Sequence, residues 1–189
     1  MENIYVKDIK FNFKLSTDYL DQCKQSLSDP NFLAVFRVTD FDNHFVELLE
    51  SLNISILGAE VVYTPPHAKG QIHIDMQYHV KPTVAKMNWV FDGAGSVMNW
   101  YEKKNPSVVE EVRTLPGGES YIFVENTQCN VVWSHAVAQP SLVNAGILHT
   151  IINSSEPRWC ISYALYDEDQ QQALQFHDAI TKFAPWITP

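Results

Sequence analysis

Gln71-Ile72-His73-Ile74-Asp75-Met76 is the stretch whose reading decides the fold. Polar and apolar side chains alternate from Ile72 to Met76, a period of two. The stretch is therefore a β-strand with His73 and Asp75 on one face and three apolar residues packed behind. An imidazole and a carboxylate side by side on a rigid element are two ligands of a metal centre. His149 is the best third. Two His and one carboxylate, with coordination positions left open, suit non-haem Fe(II) that activates oxygen.

Outward from this strand, the texture from residue 54 onward is that of short strands with turns between them. Strands are expected over 54–63, closed by Pro65-Pro66, and over 73–77. The next covers 84–91, with Lys86 and Asn88 on one face and Met87, Trp89 and Phe91 on the other. Further strands follow over 97–102, 121–124, 131–137, 147–152 and 158–166, with a turn at Leu115-Pro116-Gly117-Gly118. No helical pattern separates them, which excludes a parallel α/β sheet and indicates a sandwich or barrel.

The flanks are helical. An edge strand over 4–15 precedes a helix capped by Ser16 or Thr17, with Leu20, Cys23 and Leu27 on one face. A strand over 32–38 leads to a second helix, capped by Asp42 or Asn43, whose stripe is Phe45, Leu48, Leu49 and Leu52. At the far end Asp167 caps a helix carrying Ala173, Phe176, Ile180 and Phe183. Without a linker, the expectation is one domain: 1–53 helical with an edge strand, 54–166 the β core, 167–184 the C-terminal helix.

Composition narrows the function classes. Apolar residues make up 46% of the chain, so it can bury a core and is not a disordered chain. The formal charge of −9 argues against a nucleic-acid partner, whose phosphates need Lys and Arg. Cys23, Cys129 and Cys160 are odd in number and far apart, which suits a reduced, cytoplasmic setting. No leader-like segment and no apolar run of ~20 residues is present, so no membrane span is expected.

The second informative stretch is 149–162. Read as a hairpin turning at Asn153-Ser154-Ser155-Glu156-Pro157, it brings Arg158, Cys160 and Ser162 to the side of His149, with Cys160 or Ser162 directly opposite. Arg158 then lies roughly 7 to 13 Å along the strand. A five-carbon diacid spans that gap, with one end on the metal and the far carboxylate on the guanidinium. Ser162 can add a donor.

His73-x-Asp75, His149 and Arg158 in this order, with the tail from Arg158 to Ser162, resemble the 2-oxoglutarate- and Fe(II)-dependent dioxygenase superfamily. Within it, the string from His149 to Ser162 is similar to that of prolyl-hydroxylase-like and aspartyl-hydroxylase-like members. The resemblance covers about residues 54 to 166. It implies a double-stranded β-helix, or jelly roll, braced by helices. It also implies that His73, Asp75 and His149 bind Fe(II) and that Arg158, with Ser162, binds the far carboxylate of 2-oxoglutarate. The activity implied is hydroxylation of an unactivated C–H in a small molecule or an amino-acid or peptide side chain. O2 is consumed, and succinate and CO2 are released.

Each sharp assignment has a plainer rival. His149 has apolar neighbours and could be a core histidine with a partner. His79 shares parity with His73 but lies ~20 Å away on a continuous strand. His67 belongs to a loop, His135 reads as structural, and His44 and His177 as surface residues. Lys86 and Asn88 can contact 2-oxoglutarate or substrate, or form a solvated face; Trp100 and Tyr101 can wall a pocket or fill a core. The alternative for the whole chain is a cupin-like metal-binding jelly roll, an isomerase or small-ligand sensor, that does not use 2-oxoglutarate.

Overall fold

A computed structural model describes residues 3–76, 84–114, 120–137 and 140–188. The chain runs through β1 (Val6–Asp8), α1 (Asp18–Ser26), β2 (Ala34–Arg37), α2 (Asn43–Ser51), β3 (Ile54–Thr64), β4 (Ile72–Met76) and β5 (Ala85–Asp92). It continues through β6 (Val97–Lys103), β7 (Glu111–Thr114), β8 (Ser120–Val124), β9 (Cys129–His135) and β10 (Ser141–Asn144). It ends with β11 (His149–Ile152), β12 (Arg158–Asp167), β13 (Gln172–Ala173) and α3 (Phe176–Lys182).

The strands form two antiparallel sheets. One has the order β1-β10-β5-β12-β3-β2, with β13 paired to β12; the other has the order β7-β8-β4-β11-β6-β9. From β3 to β6, and again from β10 to β12, each successive strand lies in the opposite sheet. That winding is a jelly roll, the double-stranded β-helix that the family resemblance implies and one form of the sandwich or barrel that the strand pattern indicates.

The core explains which face is which. On β12, Trp159, Ile161, Tyr163 and Leu165 alternate outward and join Met87 and Trp89 of β5. Their cluster includes Leu20 and Cys23 of α1, Phe45 and Leu49 of α2, and Phe176 of α3. Trp89 sits edge-on to Phe45 at 4.7 Å between ring centroids and to Tyr163 at 5.5 Å, a geometry that the ring quadrupoles favour. Asp42 caps α2 as expected, accepting from the Phe45 amide at 3.1 Å. The opposite face of this sheet looks onto the second sheet, where Val143 of β10 meets Met98 and Trp100 of β6.

Three expectations are corrected. The segment 149–162 is not a hairpin: β11 pairs with β4 and β6, whereas β12 pairs with β3 and β5. His149 therefore faces neither Cys160 nor Ser162 within one sheet, and the two strands oppose each other across the interior. The corner between them is steered by Asn153. Its amide donates to the carbonyls of Thr64 (3.0 Å), Pro65 (2.7 Å) and Glu156 (2.9 Å), tying the corner to the end of β3, and its Oδ1 accepts from Ser96.

The C-terminal helix starts at Phe176, not at Asp167. Asp167 ends β12, and its Oδ1 accepts from the amides of Asp169 and Gln170 at 3.0 and 3.2 Å. The side-chain-to-backbone bond that makes Asp a helix cap also makes it a turn former. The N-terminal edge strand is real but covers only Val6–Asp8. Strands β7, β10 and β13 went unread. His79 and the turn at Leu115-Pro116-Gly117-Gly118 lie outside the described residues. Among the described residues no helix is long and apolar enough to cross a membrane.

Candidate metal centre

His73 and Asp75 project from β4 into the space between the sheets, and β11 places His149 directly opposite His73. One donor atom from each of the three lies within 4.8 Å of the others. Nε2 of His73 is 3.3 Å from Oδ1 of Asp75, and Nε2 of His149 is 3.8 Å from the same oxygen.

The far side of each ring fixes what Nε2 can be. Nδ1 of His73 lies 2.8 Å from the Gln71 carbonyl, and Nδ1 of His149 lies 2.8 Å from the Ile147 carbonyl. A carbonyl only accepts, so each neutral ring carries its proton on Nδ1 and leaves Nε2 bare. Two bare nitrogens and a carboxylate oxygen thus face one another, all lone pairs. Among the described residues, no hydrogen-bond donor reaches the buried Oδ1 of Asp75. Such a set repels itself unless a proton or a cation sits among the three. Histidines anchored by a backbone carbonyl and presenting bare Nε2 atoms beside a carboxylate are the donor set of a divalent cation. The residues fit one.

The electrostatics point the same way. Burial alone would raise the Asp75 carboxyl. Lys86, whose Nζ is 2.6 Å from Oδ2, overrides this and holds it well below the usual carboxylate range. Burial would lower Lys86, but Asp75, with Glu60, holds its ammonium charged. Burial and the neighbouring His73 push His149 down to about 4, so it is neutral near neutral pH.

Arg158 opens β12 and is 3% exposed. Among the described residues no carboxylate lies within 4.0 Å of its guanidinium. It lies against the Cys160 thiol, which burial pushes up against the pull of the arginine. The β11–β12 corner begins three residues beyond His149, about 10 Å along the strand. Between these ends, Ser162 and Asn88 face each other across the β12–β5 ladder. Asn88 Oδ1 is also buried without a hydrogen-bond donor among the described residues. Arg158, Cys160, Ser162, Asn88 and Lys86 therefore share the inward face of one sheet.

Three further histidines keep their plainer roles. His135 pairs with Asp8 at 3.1 Å, and His44 and His177 are exposed. Trp100 is fully buried opposite His149 and donates Nε1–H to the Asn144 carbonyl at 3.2 Å. Tyr101 turns to the other face, against the cluster of Ile72 and Leu148.

Three features escaped the sequence reading. One is the direct Lys86–Asp75 contact. The others are Tyr121 and Phe123 of β8, whose rings stand 5.5 and 5.8 Å from His73. Their alternation in 120–124 was a visible signal. Their registry with Asp75 and His73 is a long-range pairing that alternation does not encode.

No protein-family model and no curated protein matches the chain. Solved structures similar to it include the cysteine peptidase Peruvianin-I from Thevetia peruviana latex, at 14% identity and a TM-score of 0.34. That match covers 71% of this chain and 63% of that one. A recombinant oxalate oxidase in complex with glycolate matches at 13% identity and a TM-score of 0.29, covering 78% of this chain and 57% of that one. A further oxalate oxidase structure matches at 12% identity and a TM-score of 0.32, covering 90% and 77%. At these scores the likeness carries no argument; the jelly roll rests on the strand order.

Proposed function

We propose that the chain is an Fe(II)- and 2-oxoglutarate-dependent oxygenase, a hydroxylase acting in the cytoplasm on a small molecule or on an amino-acid or peptide side chain. The observation that carries this is the pairing of two incomplete sites on facing strands. His73, Asp75 and His149 present three lone-pair donors, and Arg158 is a buried guanidinium with no carboxylate beside it among the described residues. Nε2 of both histidines and Oδ1 of Asp75 would hold the iron. When bound, iron, 2-oxoglutarate and O2 supply the oxidation of an unactivated C–H, with release of succinate and CO2.

The chain's own part is binding and orientation. The planar fork of Arg158 takes the far carboxylate of the co-substrate, and burial excludes water that would compete for it. The Ser162 hydroxyl and the Asn88 amide line the path from Arg158 toward the metal. Tyr121 and Phe123 wall the His73 side, the more open one, since His73 keeps 25% of its side chain exposed against 6% for His149. With a charge of −9, nucleic acid is not the expected substrate.

A second reading is favoured by one contact. The Lys86–Asp75 ion pair sets a cation beside the open coordination positions, where a small anion could sit directly, as in a cupin-like metal site that needs no 2-oxoglutarate.

Anaerobic titration with Fe(II) and 2-oxoglutarate separates the two. Bidentate chelation gives a visible charge-transfer band, and Arg158→Ala should need at least about thirtyfold more 2-oxoglutarate to reach it. Bound iron without a band selects the second reading. No bound iron overturns both.

A further inference from the structure

Asp75 is held asymmetrically. Oδ2 lies 2.6 Å from the Lys86 ammonium, whereas Oδ1 faces both imidazoles and has no donor among the described residues. The two residues come from different sheets, Asp75 from β4 and Lys86 from β5, so the contact is a strut across the interior. Only 13% of the Lys86 side chain and 9% of the Asp75 side chain are exposed. A buried, hydrogen-bonded ammonium–carboxylate contact resists rearrangement, because separating the partners strands both charges.

We propose that Lys86 is a positioning residue that keeps Asp75 a one-oxygen ligand, and so reserves coordination positions for exogenous ligands. A free carboxylate beside a divalent cation can chelate through both oxygens. With Oδ2 held toward the Lys86 ammonium, Oδ1 is the oxygen turned to the metal. Three donors on a six-coordinate ion then leave three positions for water or a chelating co-substrate. Were Asp75 to bind through both oxygens, two would remain. Lys86 also offsets the carboxylate charge, so the loaded centre is more positive than the divalent ion and Asp75 alone would make it and favours anionic ligands. The inference rests on the metal-centre reading above.

Mn(II) alone is the probe, and the readout is not turnover. Pulsed electron paramagnetic resonance of the Mn(II)-saturated protein in deuterated water counts the deuterons of metal-bound water. Lys86→Met should lose about one third of that signal, one water position of three. Lys86→Arg, which still offers Oδ2 a cationic donor, should keep the wild-type count. Equal counts in wild type and Lys86→Met overturn the inference and leave the metal centre standing. A folded Lys86→Met protein that no longer binds Mn(II) also overturns it, because the ammonium then builds the site and does not limit its ligation. If wild type binds no Mn(II), the metal-centre reading itself fails. Should Lys86→Met not fold, the shorter and uncharged Lys86→Gln replaces it with the same expected loss.

Discussion

The two faces of the sheet built on β5, β12 and β3 are both buried and chemically opposite. Outward, β5 and β12 present Met87, Trp89, Trp159, Ile161, Tyr163 and Leu165 to the helices. Inward, the same strands present Lys86, Asn88, Arg158, Cys160 and Ser162, with Asn88, Arg158 and Ser162 each less than a tenth exposed. An apolar outer face stabilises the fold in proportion to the area it removes from water. A buried polar face does the reverse unless each group finds a partner. Among the described residues, the inner face contains a guanidinium without a carboxylate and an amide oxygen without a donor. Polar groups kept at such a cost are the ones that the proposed function assigns to ligand binding; the outer face stabilises the fold.

Mutations can break that contrast. The largest effect on stability is expected outside. Trp89→Ala removes a ring packed on Phe11, Phe45 and Tyr163 and should cost about 3–5 kcal/mol of unfolding free energy in denaturant titrations. Metal stoichiometry of the folded fraction should be unchanged. If it falls as steeply as stability does, the two faces are not separable.

The next effect reads the inner face through pH. The folded-state value of His149 is about 4 against an ordinary 6.5. Above 6.5 both states are neutral and the group contributes nothing. Below 6.5 the unfolded chain takes up a proton that the folded one refuses, so stability falls as pH drops from about 6.5 to about 4. The full loss is about 3 kcal/mol in metal-free protein. Asp75, held low, adds its own loss only below its ordinary value of 3.8. His149→Gln should remove the slope in the upper window while leaving the lower one, as urea titrations at stepped pH would show. A wild-type slope that persists in the variant would mean that His149 is not the buried neutral base described here.

The smallest stability effect is expected at Arg158. Replacing a buried cation that has no carboxylate beside it among the described residues by an apolar chain of similar length is often neutral or stabilising. Arg158→Met should therefore unfold within about 1 kcal/mol of wild type, or later, while 2-oxoglutarate no longer perturbs the metal spectrum at wild-type concentrations. A strongly destabilised Arg158→Met would make the arginine a structural element and weaken the case for a far-carboxylate anchor.

What was legible in the sequence was local. Alternation placed His73 and Asp75 on one face of a strand, and Lys86 and Asn88 opposite Met87 and Trp89, because a pleated strand sends successive side chains to opposite sides whatever it pairs with. The cap at Asp42 was equally readable, since it needs only the Phe45 amide three residues on. What local pattern does not resolve is Asp167, where one side-chain bond serves two local structures, and 149–162, where a turn between strands of different sheets has the same local signals as a hairpin.

By itself the sequence determined which side chains share a face and the order in which three metal donors and an arginine follow one another. Only the tertiary structure decided which faces meet. Pairing partners, sheet assignment, the Asn153 corner, the Lys86 strut and the aromatic wall on β8 all depend on contacts between residues far apart in the chain. Those contacts are selected by burial and by hydrogen bonds that must all be satisfied together, and no short stretch of sequence carries that condition.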